Sequence, residues 1–199
     1  MLKPDSIPDF ISAEKYVLVR LEENLSPLLF YHDIGHTRNV LEAAMFIAAN
    51  ENISDEEKSL LRIAVALHDS GFLFSYNNHE EKGCDFAKEI LPEYNFSKDQ
   101  VEKICHLIMA TKSPQNPQTH LERIICDADL DYLGRAGVEI SANKLFEELK
   151  QCSMITTEEE WVKKQIDFLA SHKYFTSFSL NNREQNKQAY IAKLREMQG

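Results

Sequence analysis

The sequence predicts a single all-α domain, and three observations support this prediction. Apolar residues recur with a helical period along nearly the whole chain, and no segment alternates as a strand does. The 199 residues include only six glycines and six prolines, about half the usual share, which favours long helices over a turn-rich β-sandwich. No repeat, low-complexity tract or Gly/Ser linker marks a domain boundary, so we expect one helical bundle over residues 1–199.

Nine helices are predicted, and capping residues indicate where several of them begin. Ser54 and Ser97 each open a capping box, and Thr157 precedes an acidic first turn. Pro92 ends one helix, and Gly134 is expected to cap the C-terminus of another. The expected helices are 13–24, 35–50, 54–69, 79–91, 97–111, 119–133, 141–151, 157–171 and one within 180–197. The stretches 72–77 and 112–118 are expected to be loops.

Composition excludes several classes of protein. The formal net charge is −10, from 32 acidic and 22 basic side chains, which argues against binding polymeric nucleic acid but leaves a small phosphate substrate open. No apolar run approaches the roughly 20 residues of a membrane helix, and residues 1–5 lack the apolar core of a signal peptide. We therefore expect a cytoplasmic protein with no membrane partner. The four cysteines have no CxxC spacing and are expected to be free, mostly buried thiols.

The third predicted helix ends in polar residues that lie in an apolar setting. Residues 63–67 are continuously apolar, which indicates a central buried helix, and His68 and Asp69 follow directly. Burying an imidazole and a carboxylate without partners costs several kcal/mol, so a metal ion or a hydrogen-bond network must offset it. The simpler interpretation is that Asp69 caps the next turn and His68 is a satisfied core histidine.

The second predicted helix also carries a histidine on its apolar face. A helical period places His36 on the same side as Val40 and Ile47. His32 lies four residues earlier and projects on that side if the helix extends back to it. Two histidines at this spacing can share a metal ion. The alternative is one buried histidine and one surface histidine.

Three aspartates interrupt the apolar run of the sixth predicted helix. Asp129 is flanked by core positions, whereas Asp127 and Asp131 fall on another side of the helix. Asp129 is therefore the aspartate whose burial needs an explanation. The alternative is a solvated acidic face on which Asp129 is slightly displaced.

The inward-facing polar residues come from three different helices, and together they predict a metal site. The chemistry predicts that four side chains meet around one ion: His36, His68, Asp69 and Asp129. Two imidazoles and two carboxylates suit a borderline or hard divalent ion with open positions for water and a substrate phosphate. A closed structural zinc site would favour cysteine instead.

These residues resemble the signature of a known family. The segments Tyr31-His32-xxx-His36, Leu67-His68-Asp69 and Asp127-Ala128-Asp129-Leu130 are similar to the His…His-Asp…Asp pattern of the HD-domain metal-dependent phosphohydrolases. The resemblance covers about residues 31–135, and residues 136–199 resemble a variable C-terminal helical extension. It implies an all-helical bundle around a divalent ion (Mn, Fe, Co, Ni, Mg or Zn). The implied ligands are His36, His68, Asp69 and Asp129.

Three details of the sequence bear on the subfamily. The pair His32-xxx-His36 resembles the HNxxH motif of class I cyclic nucleotide phosphodiesterases, but Asp33 replaces the asparagine and the chain is much shorter. The segment 70–72 follows the HD pair where guanosine tetraphosphate hydrolases carry two acidic residues. The GYP tripeptide of the cyclic-di-GMP class is absent.

Residues later in the chain indicate how many metal ions the predicted site holds. His79-Glu80 resembles the HE that serves a second metal or the phosphate in some members. Where binuclear members carry a further histidine, this chain has Thr111 and Lys112. We therefore expect one tightly held ion.

The resemblance also implies roles in hydrolysis. Asp69 would orient the attacking water, and His32 as an imidazolium would protonate the leaving group. His79 would share that task or bind phosphate. Thr111, Lys112 and Arg38 are expected to contact the substrate, and Arg135 is a further candidate; the plain alternative for each cation is an ordinary surface residue.

Other aromatic and imidazole side chains have less specific interpretations. Phe72, Phe74 and Tyr76 either stack on a nucleobase or pack into the core, and packing is the favoured interpretation. His106 and His120 are expected to be surface or structural residues.

The expected function is hydrolysis of a phosphate mono- or diester of a nucleotide or a similar small molecule. One alternative is a catalytically silent regulatory module that binds metal or nucleotide, and another is a purely structural domain. The retained His32 favours the enzyme, because a silent module needs no proton donor. The buried His-Asp pair argues against a purely structural domain. A homodimer is left open.

Overall fold

The computed structural model describes residues 7–198, and all regular structure in that range is helical, which confirms the predicted all-α fold. Residues 1–5, on which the expected absence of a signal peptide rests, lie outside the described range. Within the described range, no helix is both long enough and apolar enough to cross a bilayer. The α-helices are α1 Phe10–Asn24, α2 Ile34–Asn50, α3 Asp55–Leu67, α4 His79–Ile90, α5 Lys98–Ala110, α6 His120–Asp129, α7 Val138–Gln151, α8 Glu158–Ser171, α9 Ser177–Asn182 and α10 Glu184–Gln198. Three 3₁₀ turns lie at Ser70–Leu73, Leu91–Tyr94 and Asp131–Gly134.

Helix α3 is the centre of the bundle. Its residues 63–67 are completely excluded from solvent, and the helix packs against α1, α2, α5 and α6. Each large aliphatic side chain buried in this way contributes about 1.5–3 kcal/mol to folding. Because residues 63–67 are covered on every side, the residues that follow Leu67 begin inside the protein. The cysteines are free, and three of the four are buried, as predicted.

The predicted helix starts agree with the capping hydrogen bonds. The Ser54 hydroxyl accepts from the Glu57 amide while the Glu57 carboxylate accepts from the Ser54 amide, and Ser97 opens the same kind of box. The Thr157 hydroxyl likewise accepts from the Glu160 amide. These bonds satisfy amides that the first turn of a helix leaves without partners.

The sixth predicted helix is wrong at its C-terminal end. Helix α6 ends at Asp129, and the chain continues as a 3₁₀ turn instead of a helix to residue 133. Gly134 lies inside that turn and does not cap the helix. A Cβ on Gly134 would lie 2.5 Å from the Arg183 carbonyl oxygen, so the glycine allows the segment before α10 to approach closely.

Asp127 and Asp131 do not form the solvated face that the helical wheel suggests. Both are buried more deeply than Asp129. The Asp127 carboxylate is inaccessible to solvent and accepts hydrogen bonds from the amides of Phe175 and Thr176 and from the Thr176 hydroxyl, at 2.7–3.2 Å. It thereby fixes the segment that leads into α9, a short helix that the sequence did not predict.

Asp131 ties the same region to the last helices. Its carboxylate accepts from the Arg183 guanidinium at 2.8 Å and also pairs with Arg135. The solvated-face alternative fails because a helical wheel contains no information on the segments on either side of α9, which cover both aspartates. The predicted starts at residues 13 and 141 are also late, since α1 begins at residue 10 and α7 at residue 138.

The C-terminal helices have apolar clusters of their own. One cluster joins the turn after α6 to α7, α8 and α10, through Leu133, Val138, Leu169, Tyr190, Ile191 and Leu194. A second joins α7 to α8 through Ala142, Phe146, Ile155 and Trp161. These helices therefore form a wall beside α6 that is packed against the bundle.

Replacing Asp127 tests this connection. In Asp127→Asn, an amide NH₂ meets backbone donors, so we expect a loss of about 2–4 kcal/mol in the free energy of unfolding and a fall in Tm of roughly 5–15 °C. Thermal unfolding by circular dichroism measures both. Asp167→Asn, the same change at an exposed position of α8, is the control and should shift stability by less than about 0.5 kcal/mol. Equal effects in the two variants would contradict the assignment.

Candidate metal centre and active site

The centre is assembled at the ends of three helices. His68 and Asp69 follow directly after α3 and are almost completely buried. His36 lies in the first turn of α2, where its amide donates to the capping Asp33 carboxylate at 2.7 Å. Asp129 is the last residue of α6. Helix ends are where side chains can converge on one point, because they lie close to the neighbouring helices.

The four side chains predicted to be ligands come together. The Nε2 atoms of His36 and His68 are 3.4 Å apart, and they lie 3.4 and 3.1 Å from Asp69 Oδ2. Asp129 Oδ1 is 3.3 Å from His36 Nε2 and 3.6 Å from His68 Nε2. His36, His68 and Asp69 form a group whose ligand atoms could all hold one ion.

The hydrogen bonding of this group indicates that a cation belongs between its members. The His68 Nδ1–H donates to the Val65 carbonyl oxygen at 2.7 Å, so the lone pair of the ring is on Nε2. That nitrogen faces Asp69 Oδ2, a buried oxygen that accepts no hydrogen bond within the described part of the chain. When the ring is neutral, this lone pair and the anionic oxygen 3.1 Å away repel each other, and positive charge, either a proton on Nε2 or a bound cation, relieves the repulsion. A divalent ion bound by both removes the repulsion, so the donor set fits a metal.

The pKa values at the centre reflect the same concentration of negative charge. Burial lowers the pKa of His68, but the Asp69 and Asp129 carboxylates outweigh it and raise the pKa well above its usual value. Burial raises the pKa of Asp69, yet the surrounding imidazoles hold it well below its usual value. For Asp129 the hydrogen bonds from the imidazoles outweigh burial and lower the pKa to about 2. Both carboxylates are therefore ionised at neutral pH and require positive charge nearby.

His32 lies beside this centre with its ring held on several sides. Its face stacks on Phe72, with the ring centroids 4.4 Å apart. Its Nδ1–H donates to Glu148 Oε1 at 2.5 Å. Burial lowers the pKa of His32, but this carboxylate and the charge of Asp69 raise it above the usual value. The side chain is 18% exposed, and it lines a cavity next to the metal centre.

His79 occupies the opposite side of the Phe72 ring. Its ring stacks on Phe72 at a centroid distance of 4.0 Å, and its Nε2 is 3.5 Å from Asp69 Oδ1 and from Glu80 Oε1. Phe72 is buried and packs against two histidines, which favours packing over nucleobase stacking for this residue. Tyr76 donates its hydroxyl to Glu148 at 3.1 Å, whereas Phe74 is exposed.

A cavity of about 700 Å³ opens from the centre toward the C-terminal helices. At one end it is lined by site residues, including His32, Asp69 and Asp129. The other end is mostly apolar and is formed by α7, α8 and α10, with the lining residues Ala142, Leu145, Leu149, Trp161, Phe168, Leu169 and Tyr190. Its size and mixed lining are those of a small-molecule site.

Two of the three residues predicted to contact the substrate line this cavity. Thr111 and Lys112 line it; the Thr111 hydroxyl donates to the Ile108 carbonyl, and Lys112 pairs with Glu81. Arg38 does not line the cavity. Its guanidinium is exposed and pairs with Glu22 at 3.1 Å, because its position on α2 faces α1.

The remaining sequence candidates lie elsewhere. Arg135 pairs with Asp131 beside a separate recess of about 140 Å³. His106 is exposed on α5, and the exposed His120 lies 3.0 Å from the Glu51 carbonyl oxygen through Nε2. Both histidines are thus surface residues, as expected.

Glu148 is the functional candidate that sequence reasoning missed. It follows Glu147 in the amphipathic run 145–149 of α7, and the sequence does not distinguish the two glutamates. In the structure Glu148 is completely buried and Glu147 is exposed. The one available signal is that position 148 borders the apolar face that contains Leu145 and Leu149.

Comparison with known proteins identifies the class to which this geometry belongs. A profile of the HD domain matches residues 30–131, just over half of the chain, and the chain therefore belongs to the HD-domain family. This confirms the resemblance drawn from the sequence. The superfamily consists generally of hydrolases, and its members typically bind a divalent metal.

Two solved structures share the fold. A predicted HD superfamily hydrolase from an uncultured Thermotogales bacterium is 21% identical, with a TM-score of 0.61 over 96% of this chain and 91% of that chain. Bacillus subtilis YpgQ, solved in complex with ADP, is 17% identical, with a TM-score of 0.62 over 94% of this chain and 95% of that chain. A search of curated protein sequences finds no match.

Metal binding is tested by Asp69→Asn. An ion at 100 times its Kd stabilises a protein by about 2.7 kcal/mol, so Mn²⁺ should raise the Tm of the wild type by roughly 5–10 °C. Asp69→Asn should lose both the bound metal and the Tm shift, because it removes the ionised oxygen that faces the imidazoles. Elemental analysis and thermal unfolding measure the two effects.

Asp167→Asn serves again as the matched control and should retain metal like the wild type. A wild-type protein that holds no metal above trace after supplementation would contradict the site. So would an Asp69→Asn variant with undiminished metal content.

Proposed function

We propose that this protein is a metal-dependent phosphohydrolase that hydrolyses a phosphate mono- or diester of a nucleotide or a similar small molecule. The observation that carries the proposal is the facing pair His68 Nε2 and Asp69 Oδ2, in which the buried anionic oxygen accepts no hydrogen bond within the described residues, next to a cavity of about 700 Å³ that Asp69 helps to line. A purely structural domain gives no reason to maintain such a pair. A cavity of substrate size beside the pair does give a reason to maintain it.

The side chains that would hold the ion are His36, His68, Asp69 and Asp129. When bound, a divalent ion supplies Lewis acidity and makes a coordinated water acidic enough to ionise near neutral pH. The donor set favours no single ion among Mn, Fe, Co, Ni, Mg and Zn, and we retain one tight site as the prediction. Asp69 presents its second oxygen, Oδ1, toward His79, and this carboxylate would orient the attacking water.

In the proposed reaction, an oxygen–phosphorus bond forms to the water and the phosphorus–oxygen bond to the leaving group breaks. His32 gives the leaving oxygen its proton. The raised pKa of His32 supports this role, because the imidazolium form persists near neutral pH. His79, at the cavity wall, shares the proton transfer or binds phosphate. Thr111 and Lys112, which line the cavity, would contact the substrate.

The substrate is proposed from the cavity and from a neighbour. The apolar wall formed by α7 and α8 matches a nucleobase or another flat apolar group next to a phosphate, with Trp161 and Phe168 among its residues. YpgQ, which shares the fold, was solved with ADP. The net charge of −10 supports a small phosphate over a polymeric nucleic acid. A cytoplasmic location and a homodimer remain part of the proposal as predictions.

The function is tested by a panel of nucleoside mono-, di- and cyclic phosphates with Mn²⁺, Co²⁺, Ni²⁺ or Mg²⁺. We expect turnover of at least one member, measured by phosphate release or chromatography, and we expect Asp69→Asn to abolish it. Binding of a nucleotide without turnover under any metal would instead assign the protein as a regulatory module. If the protein neither binds nor turns over any member of the panel, the proposal is contradicted.

The proton donor is tested by His32→Ala. Because the ring is not among the proposed metal ligands, the variant should keep its metal while kcat falls roughly 10²–10⁴-fold. Metal content and steady-state kinetics measure the two effects. His106→Ala, at an exposed position of α5, is the control and should retain wild-type kcat. Loss of metal in His32→Ala would show that its role is misassigned.

A further inference from the structure

We propose that Glu148 on α7 is a positioning residue for His32, so that the active site is completed by a helix outside the residues that match the HD-domain profile. This inference rests on the proposed function, because it takes His32 to be the proton donor. The profile match ends at residue 131, and α7 begins at residue 138. The proposal therefore also gives the C-terminal helices a role beyond forming the cavity wall.

The contacts of Glu148 are divided between its two oxygens. Oε2 accepts from the amides of Tyr31 and His32 at 2.9 and 3.0 Å. Oε1 accepts from the His32 ring at Nδ1 and from the Tyr76 hydroxyl, at 2.5 and 3.1 Å. One carboxylate thus holds both the backbone and the ring of His32. Its link to Tyr76 joins the same point to the loop before α4.

This arrangement leaves His32 one nitrogen for chemistry. With Nδ1 bonded to Glu148, the ring presents Nε2 as its remaining polar atom, and the ring lines the cavity. The stack of His32 on Phe72 fixes the plane of the ring, and Glu148 fixes the rotation within that plane. A proton donor needs this kind of restraint, because proton transfer requires heavy atoms within hydrogen-bond distance.

Four donors and no acceptor surround Glu148, which explains why a carboxylate is needed. Glutamine has the same shape, but its NH₂ group would face a donor at one of the two oxygen positions. Aspartate keeps the charge but is one methylene shorter, so it cannot reach every partner. A completely buried carboxylate is also costly unless it is fully bonded, and here it is.

A purely structural role is the rival interpretation, and the leaving group of the substrate distinguishes the two. p-Nitrophenolate departs without needing a proton, whereas the ribose oxygen of AMP needs one. We therefore compare Glu148→Gln on p-nitrophenyl phosphate and AMP, or on bis(p-nitrophenyl) phosphate and cyclic AMP if diesters are preferred. The expected result is a roughly 10- to 100-fold fall in kcat on the nucleotide. KM and the p-nitrophenyl rate should change by less than about threefold.

Matched variants complete the kinetic test. Glu147→Gln, the same change at the exposed neighbour, should behave like the wild type. In the His32→Ala background, Glu148→Gln should have no further effect on kcat, because its partner is gone. Equal losses on both leaving groups, or no loss in a folded Glu148→Gln protein, would overturn the proposal. If Glu148→Gln does not fold, Glu148→Asp takes its place, with a smaller loss confined to the nucleotide.

A spectroscopic measurement separates this proposal from the proposed function. The buried hydrogen bond to the Glu148 carboxylate should give His32 Nδ1–H a downfield proton resonance in the metal-free protein and in the Mg²⁺-loaded protein. The signal should be absent from His32→Ala, lost in Glu148→Gln and retained in Glu147→Gln. If the wild type is inactive but shows the signal, the proposed function is refuted, whereas the hydrogen bond between Glu148 and His32 is supported. An active wild type whose signal survives in Glu148→Gln would refute the positioning role and leave the function standing.

Discussion

The repulsive facing of His68 Nε2 and Asp69 Oδ2 inside the bundle is the constraint on which the rest of the structure depends. The backbone carbonyl of Val65 holds the proton of the His68 ring on Nδ1, and burial denies Asp69 Oδ2 a water molecule. Positive charge between the two groups is what makes the arrangement stable. Helix α3 therefore places at the centre of the protein a pair of side chains that requires a cation. Helix α2 begins, and helix α6 ends, where a side chain of each can contribute to the same site.

Buried carboxylates also join the residues matched by the HD-domain profile to the helices that follow. Asp127 binds the segment before α9, Asp131 binds Arg183 before α10, and Glu148 returns from α7 to Tyr31 and His32. Each of these charges would be costly if left unpaired, so each requires its partner segment to be in place. The C-terminal helices are consequently bound to the centre by specific polar contacts as well as by apolar packing. The cavity lies along this junction and takes one wall from each side.

Charge is distributed unevenly around that cavity. The metal centre contributes two carboxylates, while the cation Lys112 is already paired with Glu81. A phosphate would therefore meet positive charge from a bound ion, from the His32 imidazolium and from Lys164 of α8, which also lines the cavity, in a protein with a net charge of −10. The mostly apolar end can bind the rest of the substrate. This division would allow an acidic protein to accommodate the phosphate ester that we propose as its substrate.

The sequence by itself determined the helical fold, the central position of α3 and the four side chains that come together at the candidate metal centre. These depend on period, capping and the placement of polar groups in apolar runs, which are local properties of the chain. Tertiary structure alone decided that Asp127 and Asp131 are buried, that Arg38 turns away toward Glu22, and that Glu148 rather than Glu147 reaches His32. The physical reason is that a helical wheel shows which residues share a face, whereas the burial of that face depends on segments more than 40 residues away. Thr176, which covers Asp127, is an example.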